Sequence, residues 1–170
     1  MCDEVRGRNP RPVTFYARLA ERLEDHRRFD IAEGYFQKAM EFGPDRAGPR
    51  TGLGMLYMRV GKEKEAATTL EAAFEMDPFN VRTKNMLEVL DQLKGYRTIE
   101  TAHFRIKVDE KLDGLLGQFA AKYLEEVYAE LTQLFAFEPP DRIQIEIFNK
   151  GRGQSAHQWF SARTVGLPWI

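Results

Sequence analysis

The feature that most constrains this chain is an internal repetition at a fixed offset. Setting Ala32, Phe36, Ala39 and Pro44 against Ala66, Leu70, Ala73 and Pro78 gives a difference of 34 at every position. Upstream, Tyr16, Leu19, Ala20 and Leu23 fall in register with Arg50, Leu53, Gly54 and Tyr57. A period of this length marks a supersecondary unit that stacks on copies of itself. Residue types say what the unit is. Small side chains at Ala20, Gly54, Ala32, Ala66, Ala39 and Ala73 let two antiparallel helices approach closely, and Leu19, Leu23, Phe36, Leu53, Tyr57 and Leu70 fill the layers between them at helical spacing. Pro44 and Pro78 close each copy, because proline cannot continue a helix and biases its predecessor away from one. Gly61 makes the turn inside the second copy, whereas Arg27 stands at the matching place in the first and needs a turn made without glycine.

A third register begins at Val81 and keeps Leu87, but Glu88 and Asp91 stand where Gly and Tyr belong. It is half a repeat: a polar-faced terminal helix, Val81 to Lys94, with Asn80 as its cap. The spacing predicts a leader over 1–12, repeats over 13–46 and 47–80, and a capping helix over 81–94, with helices at 13–26, 29–42, 47–60, 63–76 and 81–94. Over 13–94 this pattern resembles the tetratricopeptide repeat family. The resemblance implies a scaffold for protein or peptide interaction, in which the first helices of successive repeats line a concave groove. By position in the repeat, the groove residues would be Ala17, Glu21, Glu24, Thr51, Met55, Met58, Asn85 and Gln92. Met55 and Met58 suit an apolar ligand through their flexible thioethers, or alternatively pack against the rest of the chain. Ala17 and Glu21 replace the Lys and Asn with which some members of the family clamp a terminal carboxylate, which speaks against chaperone-tail binding.

From Gly95 the pattern changes. Ala102, Phe104, Ile106 and Val108 alternate with His103, Arg105 and Lys107, as in a half-buried strand. A long helix over 112–136 follows, with Leu116, Ala120, Tyr123, Leu124, Val127 and Leu131 among its apolar positions, stopped by Pro139 and Pro140. A second strand spans 142–148, with Ile143, Ile145 and Ile147 on one side, and a short helix is expected over 154–162. The fold class expected is α+β: an all-α helix-turn-helix stack with a capping helix, then a β-α-β segment of an incomplete α/β domain. Two strands alone are marginal in water and leave an edge open to pairing, so a homodimer through that edge is one expected partner. The apolar residues Val165, Leu167, Trp169 and Ile170 suggest that the chain stops within a domain.

The phrases Ile99-Glu-Thr-Ala-His-Phe-Arg-Ile, Tyr123-Leu-Glu-Glu-Val-Tyr-Ala-Glu-Leu and Phe160-Ser-Ala-Arg-Thr-Val-Gly-Leu-Pro are similar to the start of peptidase MA-like, gluzincin-type metallopeptidase domains. Such domains can follow tetratricopeptide repeats in large bacterial proteins. The resemblance covers about 99–170, which makes 95–170 a partial domain of this kind, and implies a His-Glu-x-x-His zinc helix further on, beyond Ile170. This chain has no such helix: its three histidines are followed by Arg27, Phe104 and Gln158, and no Asp or Glu follows Glu146. The expectation is a noncatalytic interaction module with no catalytic, cofactor or metal residues. The alternative is the N-terminal fragment of a zinc metallopeptidase. Arg163 and Thr164, in the last phrase, would border a substrate cleft in a whole domain or hold a turn in this one.

The remaining signals exclude more than they suggest. The 25 basic and 26 acidic side chains give a net charge of -1 without a basic block, which argues against nucleic acid. Cys2 alone forms neither an internal disulfide nor a thiolate metal site. No run approaches the ~18 apolar residues of a spanning helix, and 1–12 has no signal-peptide core, so a soluble, by default cytoplasmic, location is expected. Lys150-Gly-Arg-Gly-Gln-Ser155 has glycines suited to an anion but lacks the Walker spacing and reads as a turn. Glu125, Glu126 and Glu130 are expected on the wet face of the long helix. His103 and His157 are expected to be ordinary histidines, and Ser155 and Ser161 have no visible triad partners.

Overall fold

The 34-residue offset is expressed in the backbone as two helical hairpins. The computed structural model describes residues 7, 9, 11–148 and 164–166, and the chain divides into two units, Met1–Leu90 and Asp91–Ile170. In the first, α1 (Val13–Asp25) pairs with α2 (Phe29–Phe42) and α3 (Ala47–Arg59) pairs with α4 (Glu63–Met76), while α2 and α1 both contact α3. α5 (Val81–Lys94) follows, and the division between the units falls inside it. Each of these five helices lies within one residue of its expected bounds.

The two hairpins turn by the same hydrogen bonds. Arg28 N–H donates to the Leu23 carbonyl at 2.8 Å and Lys62 N–H to the Tyr57 carbonyl at 2.9 Å, with Arg27 to Glu24 and Gly61 to Met58 beside them at 2.9 and 3.2 Å. This is a Schellman closure, which places its C′ residue in the left-handed region. Gly61 takes φ 77° there without a Cβ penalty, and Arg27 takes φ 61° with one. At the far ends Gly43 N–H donates to the Ala39 carbonyl and Asp77 N–H to the Ala73 carbonyl, both at 3.1 Å, and Pro44 and Pro78 follow each helix. Asn80 caps α5 as expected, its Oδ1 accepting from Thr83 N–H at 3.1 Å.

Inside the stack Ala20, Ala32, Ala39, Ala66 and Ala73 are fully buried, with Phe36 and Leu70 between them. A Cβ built on Gly54 would lie 2.5 Å from Leu70 Cγ, and one on Gly52 would lie 2.4 Å from the Phe36 ring. Those two glycines let the large side chains of α2 and α4 lie directly on the α3 backbone. Tyr16, also buried, stacks between Tyr35 and Phe42 at ring distances of 5.9 and 5.5 Å.

The second unit contains β1 (Tyr96–Glu100), β2 (Phe104–Asp109), α6 (Glu110–Phe135), β3 (Ile143–Phe148) and β4 (Thr164–Gly166). They form a four-stranded sheet in the order β1-β2-β3-β4, with β1 and β2 antiparallel and the other pairs parallel. The expected β-α-β arrangement is present, with two further strands. β1 escapes sequence reading because it places a single apolar residue, Ile99, opposite Ile106, and its other residues are polar or aromatic. β4 is only three residues long. The strand expected from Ala102 starts at Phe104. α6 begins at Glu110, two residues ahead of its expected start, is non-helical at Asp113 (φ -127°), and ends at Phe135 with Ala136 at φ 48°, four residues ahead of the first of the prolines expected to stop it. The helix expected over 154–162 lies outside the described residues.

Phe104, Ile106 and Val108 from β2 and Ile145 and Ile147 from β3 form the buried core of this unit. Leu116, Ala120, Ala121, Leu124 and Tyr128 of α6 cover it. The approach is closest at Gly117, where a Cβ would meet Ile99 Cδ1 at 2.8 Å and Val108 Cγ2 at 3.0 Å.

Candidate functional site

α1, α3 and α5 are the first helices of the three registers, and the eight residues expected on their face fall into distinct environments. Glu21 is exposed and ion-paired with Arg18 at 2.8 Å, while Ala17 and Asn85 are half-buried. Glu24, Thr51, Met55 and Met58 are buried, the two methionines at 5% exposure each. Gln92 belongs to the second unit, where it is exposed and its Nε2 donates to Tyr96 Oη at 3.0 Å. Of the expected positions in the first unit, Glu21, Ala17 and Asn85 keep solvent-exposed surface.

The buried polar members have partners that the sequence did not reveal. Thr51 Oγ1 lies 3.0 Å from Thr83 Oγ1, so the two hydroxyls satisfy each other and tie α3 to α5. Glu24 Oε1 lies 3.2 Å from Arg59 Nε, joining the end of α1 to the end of α3, with side-chain exposures of 12% and 17%. Burial pushes the Glu24 carboxyl up and the Arg59 guanidinium down from their ordinary values, and each partner's charge opposes that shift. Removing one partner would leave a charge enclosed without its counterion.

A third tie joins α2 to α3. Glu33 accepts from Tyr57 Oη at 2.8 Å and from Lys62 Nζ at 3.1 Å, and the Lys62 ammonium sits over the Tyr57 ring, 5.4 Å from its centroid. Burial, then the Glu33 hydrogen bond, pushes the Tyr57 phenol up to about 12. Tyr57 reads in sequence as a layer-filling aromatic. Its hydroxyl was the only signal of this role, since a buried tyrosine oxygen ordinarily finds a partner.

In the second unit one side-chain cluster stands out. Glu125 accepts the His103 backbone N–H at 2.9 Å on one carboxylate oxygen, and its other oxygen lies 2.6 Å from His103 Nδ1. The His103 ring stacks on Tyr128 with centroids 3.9 Å apart. Hydrogen bonds from Thr101 and His103 hold the Glu125 carboxyl well down, at about 2. Glu125 was expected on the wet face with Glu126 and Glu130. The latter two are exposed, but Glu125 is half-buried and engaged, because the β1–β2 turn folds back over the middle of α6. With both carboxylate oxygens occupied, the arrangement clamps a turn to a helix.

Among the described residues no group of three His, Cys, Asp or Glu side chains is placed to hold a metal ion, and no helix is long and apolar enough to cross a membrane. Cys2, His157, Ser155, Ser161, Arg163 and the Lys150 to Ser155 turn lie outside the described residues, and Thr164 opens β4. Comparison with protein-family models, with curated proteins and with solved structures finds no match to this chain.

Proposed function

We propose that this chain is a noncatalytic protein- or peptide-interaction module on a tetratricopeptide-type scaffold. The observation that carries this reading is the recurrence of one turn chemistry at the 34-residue offset, Arg28 to Leu23 and Lys62 to Tyr57. A stack of like hairpins presents its first helices as an extended surface. The Thr51–Thr83 and Glu24–Arg59 ties hold those helices before any ligand arrives, so little ordering is needed on binding. Glu21, Ala17 and Asn85 are the contacts such a ligand would reach first. Screening a peptide library against the whole chain by fluorescence anisotropy tests this. Binders are expected whose Kd rises about fivefold or more, roughly 1 kcal/mol, in Glu21→Lys and Asn85→Asp variants. Binders indifferent to both substitutions, or none tighter than about 1 mM, would sink the proposal.

A second reading is favoured by the parallel β-α-β order of the second unit together with the phrase from Phe160 to Pro168. In it, this unit is the N-terminal part of a gluzincin-type domain, and the repeats position a substrate. Reading the gene beyond Ile170 tests it: a His-Glu-x-x-His helix supports the zinc peptidase, and a stop codon removes it.

A further inference from the structure

Two arginines of the first unit sit where the local backbone disfavours them. Arg27 closes the α1–α2 turn at φ 61°, in the left-handed region that its counterpart Gly61 occupies without penalty. Arg82 lies in the first turn of α5, where the helix dipole favours an anion and no acidic side chain is present. Both side chains are exposed, and neither has an ion pair or hydrogen bond among the described residues. A local rule broken twice in one unit points to a use for the two charges.

Both converge on the enclosed pair of Glu24 and Arg59, whose Oε1 and Nε lie 3.2 Å apart at the ends of α1 and α3. Arg27 N–H donates to the Glu24 carbonyl at 2.9 Å, which fixes Arg27 beside that carboxylate in the same turn. On α3, Thr51, Met55 and Arg59 follow at four-residue spacing along one face, and Thr51 meets Thr83, the neighbour of Arg82, at 3.0 Å. The charges report the same convergence. Burial pushes the Arg59 guanidinium down, and the charges of Arg27 and Arg82 push it the same way. Burial pushes Glu24 up, against the pull of Arg59 and then of Arg82. The other acids that act on Glu24 are already paired, Asp25 with Arg22 at 3.6 Å and Glu21 with Arg18 at 2.8 Å. Arg27 and Arg82 are thus two guanidiniums in excess. A planar guanidinium takes a carboxylate on two parallel N–H groups, and an anion here would also offset the repulsion among the three arginines.

We propose that Arg27 and Arg82, beside the Glu24–Arg59 pair, bind the carboxylates of an acidic segment in a partner protein. This rests on the interaction reading above and gives its partner a chemistry. Glu21 lies about one turn back along α1, so the acidic residues occupy one end of the segment only. Fluorescence anisotropy of two labelled, C-terminally amidated peptides with the whole chain tests it, one Glu-Glu-Glu-Gly-Ser-Gly and the other Gln-Gln-Gln-Gly-Ser-Gly. At about 50 mM salt the acidic peptide is expected to bind with a Kd below about 1 mM, at least tenfold tighter than its amide counterpart, and to weaken as salt rises. Arg27→Gly and Arg82→Ala each raise that Kd at least fivefold. Lys64→Ala, which removes an exposed charge from α4, leaves it within twofold. Arg27→Gly is the decisive variant, because it relieves the turn: its urea midpoint rises while its affinity falls, which loss of fold cannot produce. Equal binding of the two peptides, an Arg27→Gly chain that binds as well as the parent, or a Lys64→Ala loss as large as that of Arg82→Ala overturns the proposal. Neutral or basic binders alone from a peptide library also overturn it, and leave the interaction reading standing. So does an oligothymidylate of ten nucleotides bound more tightly than the acidic peptide, which would assign the arginines to phosphate.

Discussion

Arg27 carries a conformational cost that its counterpart Gly61 avoids. Both close a hairpin in the left-handed region, at φ 61° and 77°, where a Cβ is penalised by roughly 1–2 kcal/mol. Arg27→Gly is therefore expected to raise stability by about 1 kcal/mol, and Gly61→Arg to lower it by a similar amount, read as opposite shifts in urea midpoint. Shifts of the same sign would show that the two turns are not equivalent. Glu125 gives the residue scale a pH dependence. Its folded-state value of about 2 lies below the ordinary 4.5, so its clamp on the β1–β2 turn contributes above pH 4.5 and is lost as pH falls toward about 2. Melting curves from pH 6 down to pH 3 should show the gap between the protein and Glu125→Gln narrowing with acid. A constant gap would mean that the carboxylate's charge does not matter to the clamp.

At the scale of elements, the helices of the repeat were legible because their signals are local. A 34-residue offset, prolines behind each pair and small residues at the crossing points place five helices to within one residue. The crossing points also separate two kinds of glycine. A Cβ on Gly54 would sit 2.5 Å from Leu70 Cγ, whereas one on Gly34 in α2 meets nothing within 4 Å. Gly54→Ala is expected to cost about 1–3 kcal/mol by overpacking, and Gly34→Ala to gain about 0.5–1 kcal/mol by helix propensity alone. Chemical denaturation of the two variants checks this, and a stabilising Gly54→Ala would contradict the close approach of α3 and α4. The strands were less legible. β2 and β3 alternate strongly and feed the core, but β1 gains its place by pairing along β2, and β4 is too short to carry a pattern. α6 reads as apolar over more than half its circumference, yet nothing in that pattern says which part meets the sheet.

At the scale of the molecule, an N-terminal helical stack and a mixed sheet with its crossover helix make an α+β chain, with α5 running from one unit into the other. The sequence by itself determined the repeat, its register, its closing turns and the class of the fold, because each follows from the spacing of neighbours along the chain. Only the tertiary structure decided that Glu24 is held by Arg59, Thr51 by Thr83 and Glu125 by His103, and that Met55 and Met58 are enclosed. The physical reason is the same in each case: a side chain's environment is set by partners far away in sequence, and burial is a property of the packed elements rather than of any one of them.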